Sequence, residues 1–378
     1  MKRLNRRHAL QHLAAATASI GLPALAQTDR RIVLGQSAAF SGPAAQLGIQ
    51  MNRGAKLYFD SVNAAGGVHG AQIELRTMDD MYEADKCKAN TEALIKDDVF
   101  ALFGYVGTPT SVAAMPVFTQ AKIPFFGPFT GAEALRDPFN RYAFHVRASY
   151  YDETASIVKQ LTTLGLKKIA VFRQNDNYGQ AGLDGVVRAL KPHNLEPVAI
   201  GLVERNTVAV TGAVQTIMPN KPDAIVQISA YKSCAAFIRE ARKAGFGGTF
   251  YNVSFVGTQA LADELGADAR GVAVSQVMPF PFQPKTPIAR EFLLAVQRGG
   301  ADYKANYSSI EGYVAAKVFT EGLRRAGKGA TREALVAGLE SIQGVDIGGL
   351  MVNYNARSHV ASRFVDLTML TAYGNVRV

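Results

Sequence analysis

From Arg31 onward, short apolar runs alternate with amphipathic ones, and this alternation constrains the possible folds more than any other feature. Ile32–Leu34, Ile73–Leu75, Phe100–Phe103 and Ile123–Phe126 read as strands, while 51–62, 85–96 and 111–120 carry apolar residues at helical spacing. A second series follows: helix 153–164, strand 168–172, helix 180–190, strand 198–203, helix 208–218, strand 223–228, helix 233–244, and strands 249–253 and 271–277. Strands that alternate with helices across short turns pair in parallel, with right-handed crossovers covering both sheet faces. The expected fold class is therefore α/β, with two doubly wound parallel-sheet lobes. Beyond the Pro-rich stretch Pro279–Pro284 the chain turns helical at 287–298, 310–326 and 331–339, with Thr331 as N-cap of the last, before strand-like 350–352 and 364–370. A helical return after two α/β series implies that the chain crosses back to complete the first lobe.

Length supports two lobes, since about 350 residues exceed what one hydrophobic core usually covers. The first 26 residues stand outside the fold. A basic start (Lys2, Arg3, Arg6, Arg7) leads through an apolar stretch to Ala24-Leu25-Ala26, the order of a cleaved export signal. The apolar stretch is too short and too rich in Ala, Thr and Ser to span a bilayer. Arg6-Arg7 fits the twin-arginine route as well as the general secretory one. No Cys follows the cleavage site, so a lipid anchor is not expected, and no later apolar run approaches membrane length. Removing this segment leaves 37 basic against 31 acidic residues, a formal charge of +6. The basic residues are scattered, with no aromatic-basic stripe or zinc-finger spacing, which argues against nucleic acid. A mild positive field suits an anionic ligand and equally serves solubility. Cys87 and Cys234 lie in separate helical stretches and are expected to be packed, unpaired thiols.

In open α/β sheets ligands bind beyond the carboxyl ends of the strands, so chemistry should appear in the turns that follow them. No catalytic motif does. Gly245-Phe246-Gly247-Gly248 precedes a strand and reads as a helix stop rather than a dinucleotide fingerprint. Gly35-Gln36-Ser37 lacks the last glycine of a nucleophile elbow and reads as a hydroxyl lining a turn. His69, His145, His193 and His359 have no metal-ligand spacing. An enzyme, a cofactor and a metal are not expected. The turns hold hydroxyls, glycines and aromatics instead: 37–42, 104–111, 127–131, 175–179 and 229–231. Free N–H groups at a helix start, joined by threonine hydroxyls, make a carboxylate cradle; Thr110 and Ser111 serve equally as simple caps. Tyrosines offer an apolar face and a hydroxyl for closing over a small molecule.

At these turns the chain resembles the leucine/isoleucine/valine-binding family of periplasmic receptors, of type I fold. The resemblance is carried by FSGPAAQLG (40–48), Gly66-Gly67, the DD of 79–80 with its following helix, GYVGTPTS (104–111), GPFTGAEALR (127–136), FHVRASYYDE (144–153), NDNYGQAGL (175–183) and 223–245. It implies two lobes joined by three crossovers, here 27–147 with 278–348 and 148–277 with 349–378. It also implies a periplasmic, monomeric substrate-binding component that delivers a small polar solute (amino acid, amide or carboxylic acid) to an ABC permease. A ligand sensor of the same fold, feeding a regulatory system, is the competing expectation; an export signal with no attached membrane or DNA-binding segment favours transport.

Matched position by position, the ligand-binding residues are Thr108, Phe129, Thr130 and Gly131 on the first lobe and Tyr178 and Tyr231 on the second. Leu47 stands where relatives often have an aromatic. Ser254 stands where they place the glutamate that holds an α-ammonium. Gly107 replaces the partner of the family disulfide near 87. A buried ammonium without an anion is heavily penalised. The expected ligand is therefore a carboxylate or amide without a free α-ammonium, an aromatic or short organic acid stacked on Phe129, unless Asp152 or Glu153 supplies the missing charge.

Overall fold

A computed structural model describes residues 30–372 and 375–377; the export-signal segment 1–26 lies outside the described residues. In chain order the first lobe is built from β1 (Arg31–Ala38), α1 (Ala45–Ala64), β2 (Gln72–Asp79), α2 (Ala84–Lys96), β3 (Ala101–Phe103), α3 (Thr108–Gln120), β4 (Phe125–Phe126) and β5 (Ala143–Phe144). Its sheet runs β2-β1-β3-β4-β5, parallel throughout. The second lobe follows with α4 (Tyr150–Thr163), β6 (Ile169–Gln174), α5 (Asn177–Leu190), β7 (Ile200–Val203), α6 (Thr211–Ile217), β8 (Ala224–Ile228), α7 (Tyr231–Lys243), β9 (Thr249–Asn252), α8 (Thr258–Leu265) and β10 (Val272–Gln276). Strands β8 and β10 are buried along their whole length, as a parallel sheet covered on both faces requires.

The chain then returns through α9 (Pro287–Gly299), α10 (Tyr307–Ala326) and α11 (Arg332–Glu340), followed by the small antiparallel pair β11 (Val345–Asp346) and β12 (Met351–Val352). Helix α10 packs on α1 so closely that a Cβ on Gly312 would lie 2.0 Å from the Met51 carbonyl oxygen; only glycine fits there. Tyr313 meets Tyr58 edge-on at 5.1 Å, and Phe319 joins Phe59, Phe103 and Phe126 in the first-lobe core. Last, β13 (Asp366–Leu370) and β14 (Val376–Arg377) add antiparallel strands, completing the order β14-β13-β10-β9-β8-β6-β7.

The fold is thus the expected one, two doubly wound sheets whose chain crosses between them three times. Stretch 353–361, which the sequence reading assigns to the second lobe, bonds to the first. Tyr354 N–H donates to Ile342, His145 N–H to His359 and Ala361 N–H to the His145 carbonyl, and the His359 ring stacks on Phe144 at 3.7 Å. Both cysteines are free and buried, as expected. Thr331 caps α11 through the Ala334 N–H at 3.1 Å. Among the described residues no helix is long and apolar enough to cross a membrane.

Candidate functional site

Both sheets reverse strand order beside their first-formed strand, between β1 and β3 and between β6 and β8. The crevices at those points face each other and are lined by the turns past the strand ends. Helix α3 begins there at Thr108, earlier than its apolar spacing suggests, because Gly107 at φ 104° turns the chain into the helix. A Cβ on Gly107 would lie 2.3 Å from the Tyr82 ring. The Thr108 and Thr130 hydroxyls hydrogen-bond each other at 2.7 Å, and Thr130 reaches the Tyr150 hydroxyl at 3.3 Å. Gly131 accepts the Tyr150 N–H at 2.7 Å, which ties this turn to the start of α4. Thr110 bonds the Val106 and Gly107 carbonyls, whereas the buried Ser111 hydroxyl has no partner.

Facing these residues, Asp176 caps α5 and sets Tyr178 at its first turn. The Tyr178 ring is fully buried, 5.4 Å from Tyr150 and 4.6 Å from Phe255, and its hydroxyl has no hydrogen-bond partner. Phe255 also lies 5.7 Å from Phe129 and 5.8 Å from Tyr82. Thr108, Phe129, Thr130, Gly131, Tyr178 and Ser254 thus share one cluster. Tyr231 lies apart, with a backbone hydrogen bond at Gln46 and a phenol that burial pushes up. Beside it Leu47, fully buried, fills the space where a Cβ on Gly257 would sit, 2.4 Å away.

The charged heart of the cluster comes from three segments far apart in sequence. Arg147, 1% exposed, sets Nε 2.9 Å from Glu311 Oε1 and donates from Nη2 to Glu311 Oε2 at 3.1 Å and to Ser254 Oγ at 2.8 Å. Its guanidinium covers the Phe129 ring at 4.5 Å, on the surface expected to stack a ligand, and its Nη1 has no partner. Glu153 reaches the position of Ser254 from α4: it accepts the Ser254 N–H at 2.7 Å, the Ser254 hydroxyl at 3.0 Å and the Ser275 hydroxyl at 2.5 Å. Asp152 instead completes the α4 capping box with Ser149 and pairs with Arg363 at 3.4 Å. Burial raises both glutamates against the pull of Arg147, Glu311 to about 7. A small void of about 10 Å³ beside Arg147 is lined by Phe129, Ser254, Gln276, Tyr307 and Glu311. Arg147, Glu311, Tyr82, Tyr150 and Phe255 were not among the expected contacts. A lone charge in the otherwise apolar stretch 310–316 is the signal in the sequence that points to Glu311.

The two lobes also meet at the rim. Arg205 Nη2 donates to Glu83 Oε2 at 2.9 Å and Asn206 to Glu83 Oε1 at 2.8 Å, while Gln174 donates to the Tyr82 hydroxyl at 3.2 Å. Met81, Tyr82 and Asn206 all hold positive φ, so this contact joins two strained turns.

Residues 31–374 match the model of a family described as periplasmic binding proteins. The Leu/Ile/Val-binding protein homolog 7 of Brucella suis is 26% identical over 363 residues, 91% of this chain and 89% of the relative. A solved structure of a possible leucine/isoleucine/valine-binding protein from Rhodopirellula baltica superposes with TM-score 0.88 at 33% identity, covering 92% of this chain and 96% of that one. A substrate-binding periplasmic protein from Ralstonia solanacearum gives 0.87 at 33% identity, covering 91% and 99%.

Proposed function

The chain belongs to the periplasmic binding protein family, and from that premise we propose that it captures a short carboxylate- or amide-bearing solute between its lobes and delivers it to an ABC permease. It is a binding protein and not an enzyme. The proposed contacts are Thr108, Phe129, Thr130, Gly131, Tyr178 and Ser254, joined by Arg147, with Tyr231 closing the rim. The lobes are assigned as 30–147 with 279–361 and 148–278 with 362–377, and the receptor acts as a monomer in the periplasm.

The observation that carries the ligand class is the pairing at Ser254. The Glu153 carboxylate, which could replace the missing ammonium acceptor, is already held by three donors and lies within the field of Arg147. Among the groups left with free donors are Arg147 Nη1 and the hydroxyls of Tyr178 and Ser111, beside the Thr108–Thr130 pair. Those donors suit a carboxylate. A second reading has one observation in its favour: Glu153 Oε1 accepts only the Ser254 hydroxyl, which leaves a lone pair for the ammonium of an amino acid. Native mass spectrometry of protein purified from its own periplasm tests the choice. A co-purified acid or amide without an α-amino group supports the first reading, and a co-purified amino acid supports the second.

A further inference from the structure

The closed cleft is filled by one of the protein's own side chains. Phe255 follows Ser254 on the turn after β9 and is fully buried. Its ring meets Phe129 and Tyr82 of the first lobe and Tyr178 of the second, with centroids 5.7, 5.8 and 4.6 Å away. It therefore lies between the lobes rather than in the core of either one. Two of its neighbours adjoin groups without partners: the Tyr178 hydroxyl itself, and Arg147 Nη1, whose guanidinium covers Phe129 at 4.5 Å beside a void of about 10 Å³. Polar groups are thus arranged for a ligand head, while the apolar space a ligand ring would need is taken.

We propose that Phe255 is the specificity-determining residue of the cleft: its ring holds the place of an aromatic ligand group and restricts the receptor to short aliphatic solutes. The assignment rests on the reading of this cleft as the solute site. An aromatic acid entering the closed wild-type cleft has to expel a ring already packed against three others. Truncating Phe255 opens a ring-sized space walled by Phe129, Tyr82 and Tyr178. Apolar cavities left by deleting a single side chain stay dry and accept aromatic rings.

The test is calorimetric titration of the wild-type protein, F255A and F255L with propionate, benzoate and the uncharged benzamide, after circular dichroism has established which variants fold. The expected result is that F255A binds benzoate and benzamide about tenfold or more tighter than the wild type, with F255L moving the same way by less. F255L keeps an apolar filler and stands in if F255A does not fold. Folded variants with no gain for either aromatic probe overturn the proposal, as does tight benzoate binding by the wild type. The two halves of the ligand reading are also distinguishable: variants that gain benzamide but not benzoate leave the Phe255 assignment standing and narrow the solute to amides, and a wild type that binds neither propionate nor any probe removes the reading of this cleft as the solute site.

Discussion

Arg147, the last charged residue before the chain first leaves the first lobe, donates to Ser254 of the second lobe across 2.8 Å. Where relatives are expected to present a glutamate to the ligand, this chain presents a hydroxyl held between a guanidinium and the carboxylate of Glu153. One cation and two carboxylates, all buried, hold the cleft together without a ligand charge. Removing Arg147 from this set would leave two buried carboxylates uncompensated, whereas removing Glu153 leaves Arg147 paired with Glu311 and takes away the acceptor of three donors.

Glu153→Ala should destabilise the protein by about 1–3 kcal/mol or more, the cost of buried donors left without an acceptor. It strips the Ser254 N–H and two hydroxyls of their acceptor and leaves Arg147 with Glu311 alone. Glu153→Gln retains an acceptor and should lose less. Urea unfolding of the two variants checks the order, and equal losses would mean that the charge, which both variants remove, matters and the retained acceptor does not.

Tyr178 separates binding from folding. Its ring is packed in the cluster, so truncation to Ala damages the fold as well as the cleft. The informative variant is Tyr178→Phe, which removes a buried hydroxyl that has no partner. Stability should hold or rise by about 1 kcal/mol, while affinity for the co-purified solute should fall roughly tenfold. A stability loss with unchanged affinity would assign the hydroxyl a structural role instead.

The rim contact between Glu83 and Arg205 should favour closure only modestly, because both side chains are partly exposed. An ion pair of this kind contributes about 0.4–1 kcal/mol, so Arg205→Ala should weaken solute binding about two- to fivefold. Small-angle scattering should show a larger radius of gyration for the ligand-free variant than for the ligand-free wild type. Identical scattering curves would remove the rim contact from the closing mechanism.

Asp80 anchors the Tyr82 turn through the Tyr82 N–H at 2.8 Å and accepts the Ser37 hydroxyl at 2.8 Å. Burial nevertheless pushes its carboxyl from 3.8 up to about 6. A carboxyl raised on folding binds its proton more tightly in the native state. Its contribution is thus fully present below pH 3.8 and is lost as pH rises through about 6. Relative to Asp80→Asn, the wild type should lose up to about 3 kcal/mol across that window. Urea unfolding of both proteins from pH 4 to 7 measures the difference, and a pH-independent difference would contradict the assignment.

Much of the fold was legible because a buried parallel strand is an apolar run and a covering helix repeats its apolar positions. Helix starts were legible less well, for one physical reason. Helices α3, α4, α5 and α10 begin three residues ahead of their apolar spacing, at Thr108, Tyr150, Asn177 and Tyr307. Their first turns carry hydroxyls and aromatics near the cleft or its crossovers, so periodicity appears only from the second turn. Ser149, Asp176 and Asn306 cap three of them. The short helix α8 went unread altogether. In the candidate cleft, topology pointed to the turns after strands, and the family resemblance singled out Thr108, Phe129, Thr130 and Tyr178 within them. The Arg147–Glu311–Glu153 set was beyond reach because periodicity carries no information on which distant charges meet. Phe255 was hidden in the same way, as one aromatic on a turn whose packing depends on the opposite lobe.

The central claim is that the cleft takes a carboxylate or amide without a free α-ammonium. Calorimetric titration of ligand-stripped protein with leucine, isoleucine and valine, beside propionate and its amide, tests it most directly. The account predicts that a short acid or amide releases heat and saturates while the three amino acids do not. Submicromolar binding of any of the three would contradict it and would make Glu153 the ammonium acceptor.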